Sequence, residues 1–223
     1  MNFTEFDVYI FDVNGVLINS NLANAGAMAK AFTEDVTLQL QISDLYLKLT
    51  GIDRGSKIRR IQHELIQRPF GDGEFEIRWN RFRQLSGEAM LTVPQTAGCR
   101  QLLDELGRCH RTRVALSNTP IEELGKCLSA HGLDNRLDIV RGGGDWSKTE
   151  SLVRLMDEFH FASLKCVLIG DGKGDLNAAR HSNIPFVGID PDTGEFDGET
   201  GFYGPYKSLT QWAKEAFDIR VPE

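Results

Sequence analysis

The chain is short of several things, and each scarcity narrows what it can be. Its 223 residues hold four cysteines (Cys99, Cys109, Cys127, Cys166). They form no CxxC pair and have no histidine partners at zinc-like intervals, which argues against a zinc site or a disulfide framework. Positive charge is in deficit: 25 Lys and Arg stand against 32 Asp and Glu, a net charge of −7. A general nucleic-acid binder usually carries a basic excess, so that class is disfavoured, although a local basic pocket for a small anion stays open. No apolar run approaches the roughly 20 residues of a membrane span, and no membrane partner is expected. No basic n-region precedes the first apolar stretch, so a signal peptide is not expected either. These absences predict a soluble, cytoplasmic protein with reduced, packed thiols. What is present is a 41% hydrophobic composition, sufficient for a sizeable core in one large domain or in a domain with an insert.

The apolar pattern is uneven along the chain. Residues 7–12 read as a buried strand. From about 20 to 90 apolar residues recur at helical spacing, as in "LANAGAMAKAF", "ISDLYLKL" and "KIRRIQHELI". After Pro94 short apolar strands at 112–118, 137–143, 166–171 and 185–189 alternate with helical stretches. That alternation predicts an α/β fold, a parallel sheet with helices on both faces. The predicted organisation is a core of residues 1–19 and 92–223, interrupted by a helical domain of residues 20–91. The Gly-, Pro- and Asp-rich stretch ending at Tyr206 reads as an irregular connection, with Tyr203 and Tyr206 packed under a loop. "KSLTQWAKEAF" reads as a closing amphipathic helix.

Two helix starts stand out. "TPIEE" predicts Thr119 as N-cap, Pro120 as first helical residue and Glu122 closing a capping box. "SKTE" predicts the same device with Ser147 and Glu150. It also sets Lys148 in a first helical turn, where the helix dipole disfavours a cation. A solvent-exposed lysine is one account; an anion held at that helix end is the other.

Polar residues gather where strands end. Asp12 closes the first strand, Ser117 and Asn118 the second, and Asp171 the "CVLIG" strand, with Asp175 four residues on. Ligands of parallel α/β sheets bind outside the carboxyl ends of the strands. Three carboxylates on one rim repel unless a divalent cation sits among them, and oxygen-only ligands suit Mg2+. Lys148 and the Ser117 hydroxyl then suit phosphate oxygens. Together these residues describe phosphoryl transfer.

The constellation resembles the haloacid dehalogenase superfamily, in particular its phosphatases of the phosphoglycolate phosphatase type. The resemblance spans essentially the whole chain. "FDVNGVL" is similar to the family's DxDGT/V motif, "VALSN" to its Ser/Thr-ended strand, Lys148 to its helix-start lysine and "GDGKGD" to GDxxxD. The resemblance implies a Rossmann-like core with an inserted α-helical cap domain at the position of the 20–91 segment. It further implies that Asp12 is the nucleophile that forms an aspartyl-phosphate, and that Gly15, Ser117, Asn118 and Lys148 hold the substrate phosphate. Asp12, Asp171 and the backbone carbonyl of Asn14 would bind magnesium, with Asp175 in support. GDxxxD, which relatives acting on 2-haloacids lack, favours phosphoryl chemistry and a small phosphorylated metabolite as substrate.

In one position the chain departs from the pattern. Asn14 stands where the family carries its general acid–base aspartate, and an amide has no proton to exchange at neutral pH. Four accounts fit the sequence: a substrate with a good leaving group, a catalytically silent phosphate-binding or regulatory protein, a substitution introduced to trap a complex, or deamidation at Asn14-Gly15. A phosphomutase, which needs the acid–base for both transfers, fits least. In the helical segment, Arg54, Lys57, Arg59 and Arg60 read either as solvent-exposed helix charges or as selectors of an anionic substrate. Lys57 is also the position at which a phosphonate-cleaving relative's Schiff-base lysine could be sought. Oligomeric state is not legible in the sequence.

Overall fold

The computed structural model describes residues 3–49, 52–144, 146–191 and 193–217. The chain divides into two compact units, Met1–Ile18 with Gln95–Glu223, and Asn19–Pro94.

The second unit is helical. It comprises α1 (Asn21–Phe32), α2 (Val36–Lys48), α3 (Arg54–Ile61), which runs on as a π-helical turn (Gln62–Ile66), and α4 (Glu74–Met90). Asp35 and Asp53 start α2 and α3 by accepting the N–H groups of Leu38 (2.8 Å) and Ser56 (2.9 Å), which satisfies donors that the helix leaves over. Small buried side chains on α1 (Ala25, Ala27, Ala29, Ala31) pack with Met28, Ile42, Tyr46, Ile58, Ile61 and Phe82 in one core. Inside it the Ser86 hydroxyl donates to Asn24 Oδ1 at 2.6 Å, tying α4 to α1 through a fully buried bond.

This unit corrects one reading of its charges. Arg59 and Arg60 are exposed, but Arg54 and Lys57 are only 9% and 8% exposed, so the picture of solvated helix charges fails for them. Apolar stems and aromatic faces take up much of the cost of burial. Arg54 Cζ lies 5.2 Å from the Phe82 ring centroid and Lys57 Nζ lies 3.8 Å from that of Tyr46. Arg78 shares the pattern, with Cζ 4.2 Å from the Phe32 centroid and an N–H donated to the Phe32 carbonyl at 2.9 Å.

The first unit is built on a parallel sheet: β1 (Val8–Phe11), β2 (Thr112–Pro120), β3 (Ile139–Gly143), β4 (Cys166–Gly170), β5 (Phe186–Ile189) and β6 (Tyr203–Tyr206), in spatial order β3-β2-β1-β4-β5-β6. Its helices are α5 (Cys99–Arg108), α6 (Ile121–Ala130), α7 (Lys148–Phe159), α8 (Lys173–His181) and α9 (Leu209–Phe217). All four residues of β1 are buried, as both faces of the sheet are covered. Alternation along the strand sends Val8 and Ile10 into a cluster with Leu152, Leu155 and Met156 of α7 and Leu176, Ala178 and Ala179 of α8. Tyr9 faces the other way, 5.7 Å from the Phe217 ring of α9. Helices on both faces are what the alternating pattern predicts.

Two local expectations are corrected. The stretch taken for an irregular connection contains β6, which runs parallel to β5 with Val187 opposite Tyr203 and Ile189 opposite Tyr206. Pro205 disguises it; a proline that cannot donate is tolerated at a sheet edge. Tyr203 meets the Phe3 ring edge-on at 5.3 Å. Thr119 is not a helix cap either, because β2 continues to Pro120 and α6 begins at Ile121 without a side-chain cap. The "SKTE" box, in contrast, forms in full at Ser147 and Glu150.

All four cysteines are free thiols. Burial pushes Cys99 up to about 12 and Cys127 up to about 11, which keeps both protonated and unreactive. No described helix is long and apolar enough to cross a membrane.

Candidate active site

The sheet reverses its direction of winding at β1. The chain moves outward through β2 and β3 on one side, then returns to add β4, β5 and β6 on the other. The carboxyl end of β1 is therefore the topological switch point, where adjacent crossovers leave in opposite directions and open a crevice. Asp12 sits there, 5% exposed, its N–H donated to the Ile169 carbonyl of β4 at 2.9 Å. The chain then turns sharply. Leu17 and Ile18 both donate to the Val13 carbonyl (3.0 and 2.9 Å) and Gly15 donates to the Ile18 carbonyl (2.7 Å). Gly15 has φ +85°, which a side chain would strain, so the turn after Asp12 needs glycine.

The capping box of α7 explains how Lys148 reaches the same place. Ser147 and Glu150 fix the first turn of the helix, and Lys148, its first residue, is 7% exposed. Its ammonium pairs with the carboxylates of both Asp12 and Asp175. The surface-lysine account is thus overturned: this cation is held inward by buried anions. Asp175 lies at the third position of α8 and accepts the Gly172 N–H at 3.2 Å, closing the start of that helix from within. A Cβ on Gly170 would come within 2.4 Å of Asp175 Cβ, so only glycine at the end of β4 lets this carboxylate approach.

Oxygen atoms of Asp12, Asp171 and Asp175 lie within 4.8 Å of one another. Formally, three carboxylates and one ammonium sum to −3 + 1 = −2. That residual charge, beside a buried Asp12, Asp175 and Lys148 and with an all-oxygen donor set, suits a hard divalent cation of the magnesium kind. Burial, reinforced by Asp175, pushes the Asp12 carboxyl up to about 6 against the opposing pull of Lys148. Burial works against the Lys148 charge in turn, yet Asp12 and Asp175 outweigh it and hold the ammonium above the ordinary lysine range.

Beside this charged group lies a neutral one. Asn14 Nδ2 donates to Ser117 Oγ at 3.3 Å and to Thr119 Oγ1 at 3.1 Å, and the Thr119 N–H also donates to Ser117 Oγ at 3.2 Å. Ser117 and Thr119 are 3% and 1% exposed. They face the same way because they are two residues apart on β2. Asn118, between them, lies where the β2–β3 register shifts, and its carbonyl leaves no room for a Cβ on Gly143 (2.2 Å).

The structure thus brings Asp12, Lys148, Asp171 and Asp175 together, and Asn14 together with Ser117. Arg54 and Lys57 belong to the helical unit. Sequence reasoning missed Thr119, because "TPIEE" matches a helix start so well. It also missed Asp190, buried at the end of β5, which accepts the N–H groups of Thr193 (2.6 Å) and Glu195 (3.0 Å). Glu195 in turn accepts the N–H of Lys173 at the start of α8 at 2.9 Å, bracing the loop that carries Asp171. An aspartate after an apolar strand was the one available signal for it.

Comparison with known proteins agrees with this architecture. The model of a family described as haloacid dehalogenase-like hydrolase matches residues 9–189. A phosphoglycolate phosphatase of Colwellia psychrerythraea is 27% identical over 107 residues, 46% of this chain; the match spans 45% of that relative, less than half its length. Among solved structures, CbbY from Rhodobacter sphaeroides in complex with phosphate superposes with a TM-score of 0.74 at 15% identity, covering 96% of this chain and 100% of that one. The β-phosphoglucomutase of Clostridium difficile gives the same TM-score and identity, over 96% and 97% of the two chains. At such identities the structural likeness speaks for the fold alone.

Proposed function

This chain belongs to the haloacid dehalogenase-like hydrolase family, and from that premise we propose that it is a magnesium-dependent phosphatase acting on a small phosphorylated metabolite. The observation that carries the proposal is Asp12, buried at the switch point and paired with Lys148 in the company of two further carboxylates.

In this reading one Asp12 carboxylate oxygen attacks the substrate phosphorus. The new P–O bond forms as the bond to the leaving oxygen breaks, giving an aspartyl-phosphate. Attack of water on that phosphorus then releases inorganic phosphate and restores the carboxylate. Lys148 fixes the Asp12 carboxylate and offers positive charge to the transferring group. Asp12, Asp171 and the Asn14 carbonyl would hold magnesium, with Asp175 in support; when bound, the ion offsets phosphoryl negative charge. Gly15, Ser117 and Asn118 are assigned to the phosphate, and Arg54 and Lys57 of the helical unit, as a cap domain, to the anionic part of the substrate.

Asn14 limits the chemistry. With no acid to protonate the leaving oxygen, the preferred substrates are those whose leaving group needs no such help, such as acyl phosphates. General acid–base assistance is typically worth about 10²- to 10⁴-fold. Asn14 also supports a second reading, a phosphate-binding protein of this fold that does not turn over.

Hydrolysis of an aryl phosphate in the presence of magnesium separates the two, since that leaving group needs little acid assistance. Asp12→Asn is expected to lower the rate by at least about 10³-fold; equal rates would remove Asp12 as nucleophile. Asn14→Asp is expected to raise kcat on alkyl phosphates by at least about tenfold, and no gain would refute the missing-acid account.

A further inference from the structure

The loop that carries Asp171 is held from outside itself. β4 ends at Gly170 and α8 begins at Lys173, so Asp171 and Gly172 alone connect strand to helix. Gly172 is the N-cap of α8 and, being glycine, offers no side-chain oxygen to the donors at the helix start. Two carboxylates from other positions serve instead. Asp175 accepts the Gly172 N–H at 3.2 Å, and Glu195, 22 residues beyond Lys173, accepts the Lys173 N–H at 2.9 Å. On the other side Gly170 pairs with Gly188 of β5. The backbone is thus tied both before and after Asp171.

Glu195 is held in its turn. The Asp190 carboxylate, 7% exposed, accepts the N–H (2.6 Å) and the hydroxyl (2.7 Å) of Thr193 and the N–H of Glu195 (3.0 Å). The Asp190 N–H itself donates to the Tyr206 carbonyl of β6 at 2.8 Å. Phe196, the next residue after Glu195, is 4% exposed, with its ring centroid 5.7 Å from that of Phe186 and 5.1 Å from that of Phe202. Anchors on both sides give the Glu195 carboxylate a fixed position.

We propose that Glu195 is a positioning residue which, through the Lys173 N–H, fixes Asp171 firmly enough for the cation site to discriminate magnesium from calcium. The inference rests on the magnesium-dependent reading of the proposed function. Asp12 and Asp175 are 5% and 1% exposed and are both paired with Lys148, whereas Asp171 is half-buried and stands on the connecting loop. Its placement therefore depends on how that loop is held. Magnesium demands near-ideal octahedral geometry at about 2.0–2.1 Å, while calcium accepts a flexible set of ligands at about 2.3–2.6 Å. A fixed carboxylate serves the first ion, and a loose one is tolerated only by the second. An anion at a helix start is also favoured by the helix dipole, so the brace holds without a metal. A helix cap that contributed to stability alone would leave the preference between the two ions unchanged.

The test is calorimetric titration of magnesium and, separately, of calcium into metal-free wild type, Glu195→Ala and Glu195→Gln. Glu195→Ala is expected to bind magnesium about tenfold more weakly. Its calcium affinity should stay within about twofold of wild type. Glu195→Gln keeps an acceptor for the Lys173 N–H and should recover most of the magnesium affinity. Thermal unfolding of the metal-free variants confirms that folded protein is being titrated. An equal fall in both affinities, no change in either, or a Glu195→Gln as weak as Glu195→Ala overturns the inference and leaves the phosphatase reading standing. A wild type that binds no magnesium overturns that reading, and the inference with it.

Discussion

The two units bury charge in opposite ways. In the helical unit, Arg54, Lys57 and Arg78 lie against the faces of Phe82, Tyr46 and Phe32, and Arg78 also pairs with the Glu74 carboxylate, so ring quadrupoles, apolar stems and a balanced ion pair accommodate these cations. In the sheet unit, Asp12, Asp175 and Lys148 are buried against one another, with Asp171 beside them and a formal excess of negative charge. A cation over a ring is partly compensated in place by the ring's quadrupole. A carboxylate cluster is not, and its remaining charge invites a ligand from outside. The proposed chemistry is therefore assigned to the unit whose charges are incompletely balanced.

The largest effect is expected where that balance is broken. Lys148→Met strands two buried carboxylates, which should cost about 3–5 kcal/mol in the absence of metal. Urea denaturation measures it, and added magnesium should recover part of the loss. A change no larger than that of an exposed lysine would mean that the cluster is no more demanding than the helical unit's cations. An intermediate effect is expected inside the helical unit. Ser86→Ala leaves Asn24 Oδ1 without its buried donor and should cost about 1–3 kcal/mol, read by the same denaturation, with aryl phosphatase activity retained once the protein is folded.

The smallest effect is pH-dependent. Hydrogen bonds from Arg68 and the Gly71 N–H, with the Arg78 charge, hold Glu74 down at about 2, below its ordinary 4.5. A carboxyl with a depressed folded-state value adds stability above its unfolded value and loses it as pH falls through the folded one. The stability gap between wild type and Glu74→Gln should thus be full near neutrality and close between about pH 4.5 and 2. Chemical unfolding at a series of pH values checks this; a gap that widens on acidification would mean that the Arg68–Glu74 pair is not what stabilises the start of α4.

Much of this site was legible before any coordinates. Strands that end in Asp12, Ser117 and Asp171 announce a rim because parallel strands are read from one end, and helix-start lysines are rare enough to notice. Other parts were hidden for identifiable reasons. Thr119 obeys the local rules of an N-cap, but pairing of β2 with β3 outweighs a one-residue capping preference. β6 carries Gly204 and Pro205, whose propensities oppose a strand, and is held by its neighbour β5. Arg54 and Lys57 look like surface charges in a helical period that also places them toward Phe82 and Tyr46.

By itself the sequence determined the alternation of strands and helices and the chemical types at each strand end. Those depend on periodicity and on local hydrogen-bonding rules, which act over a few residues. Only the tertiary structure decided that Lys148 pairs with Asp12, 136 positions away, and that Asn14 donates to Ser117 and Thr119, 103 and 105 positions away. Such contacts exist because β1, β2 and β4 lie side by side. Whether a polar group is a donor, an acceptor or an unbalanced charge is set by those neighbours, not by its own place in the chain.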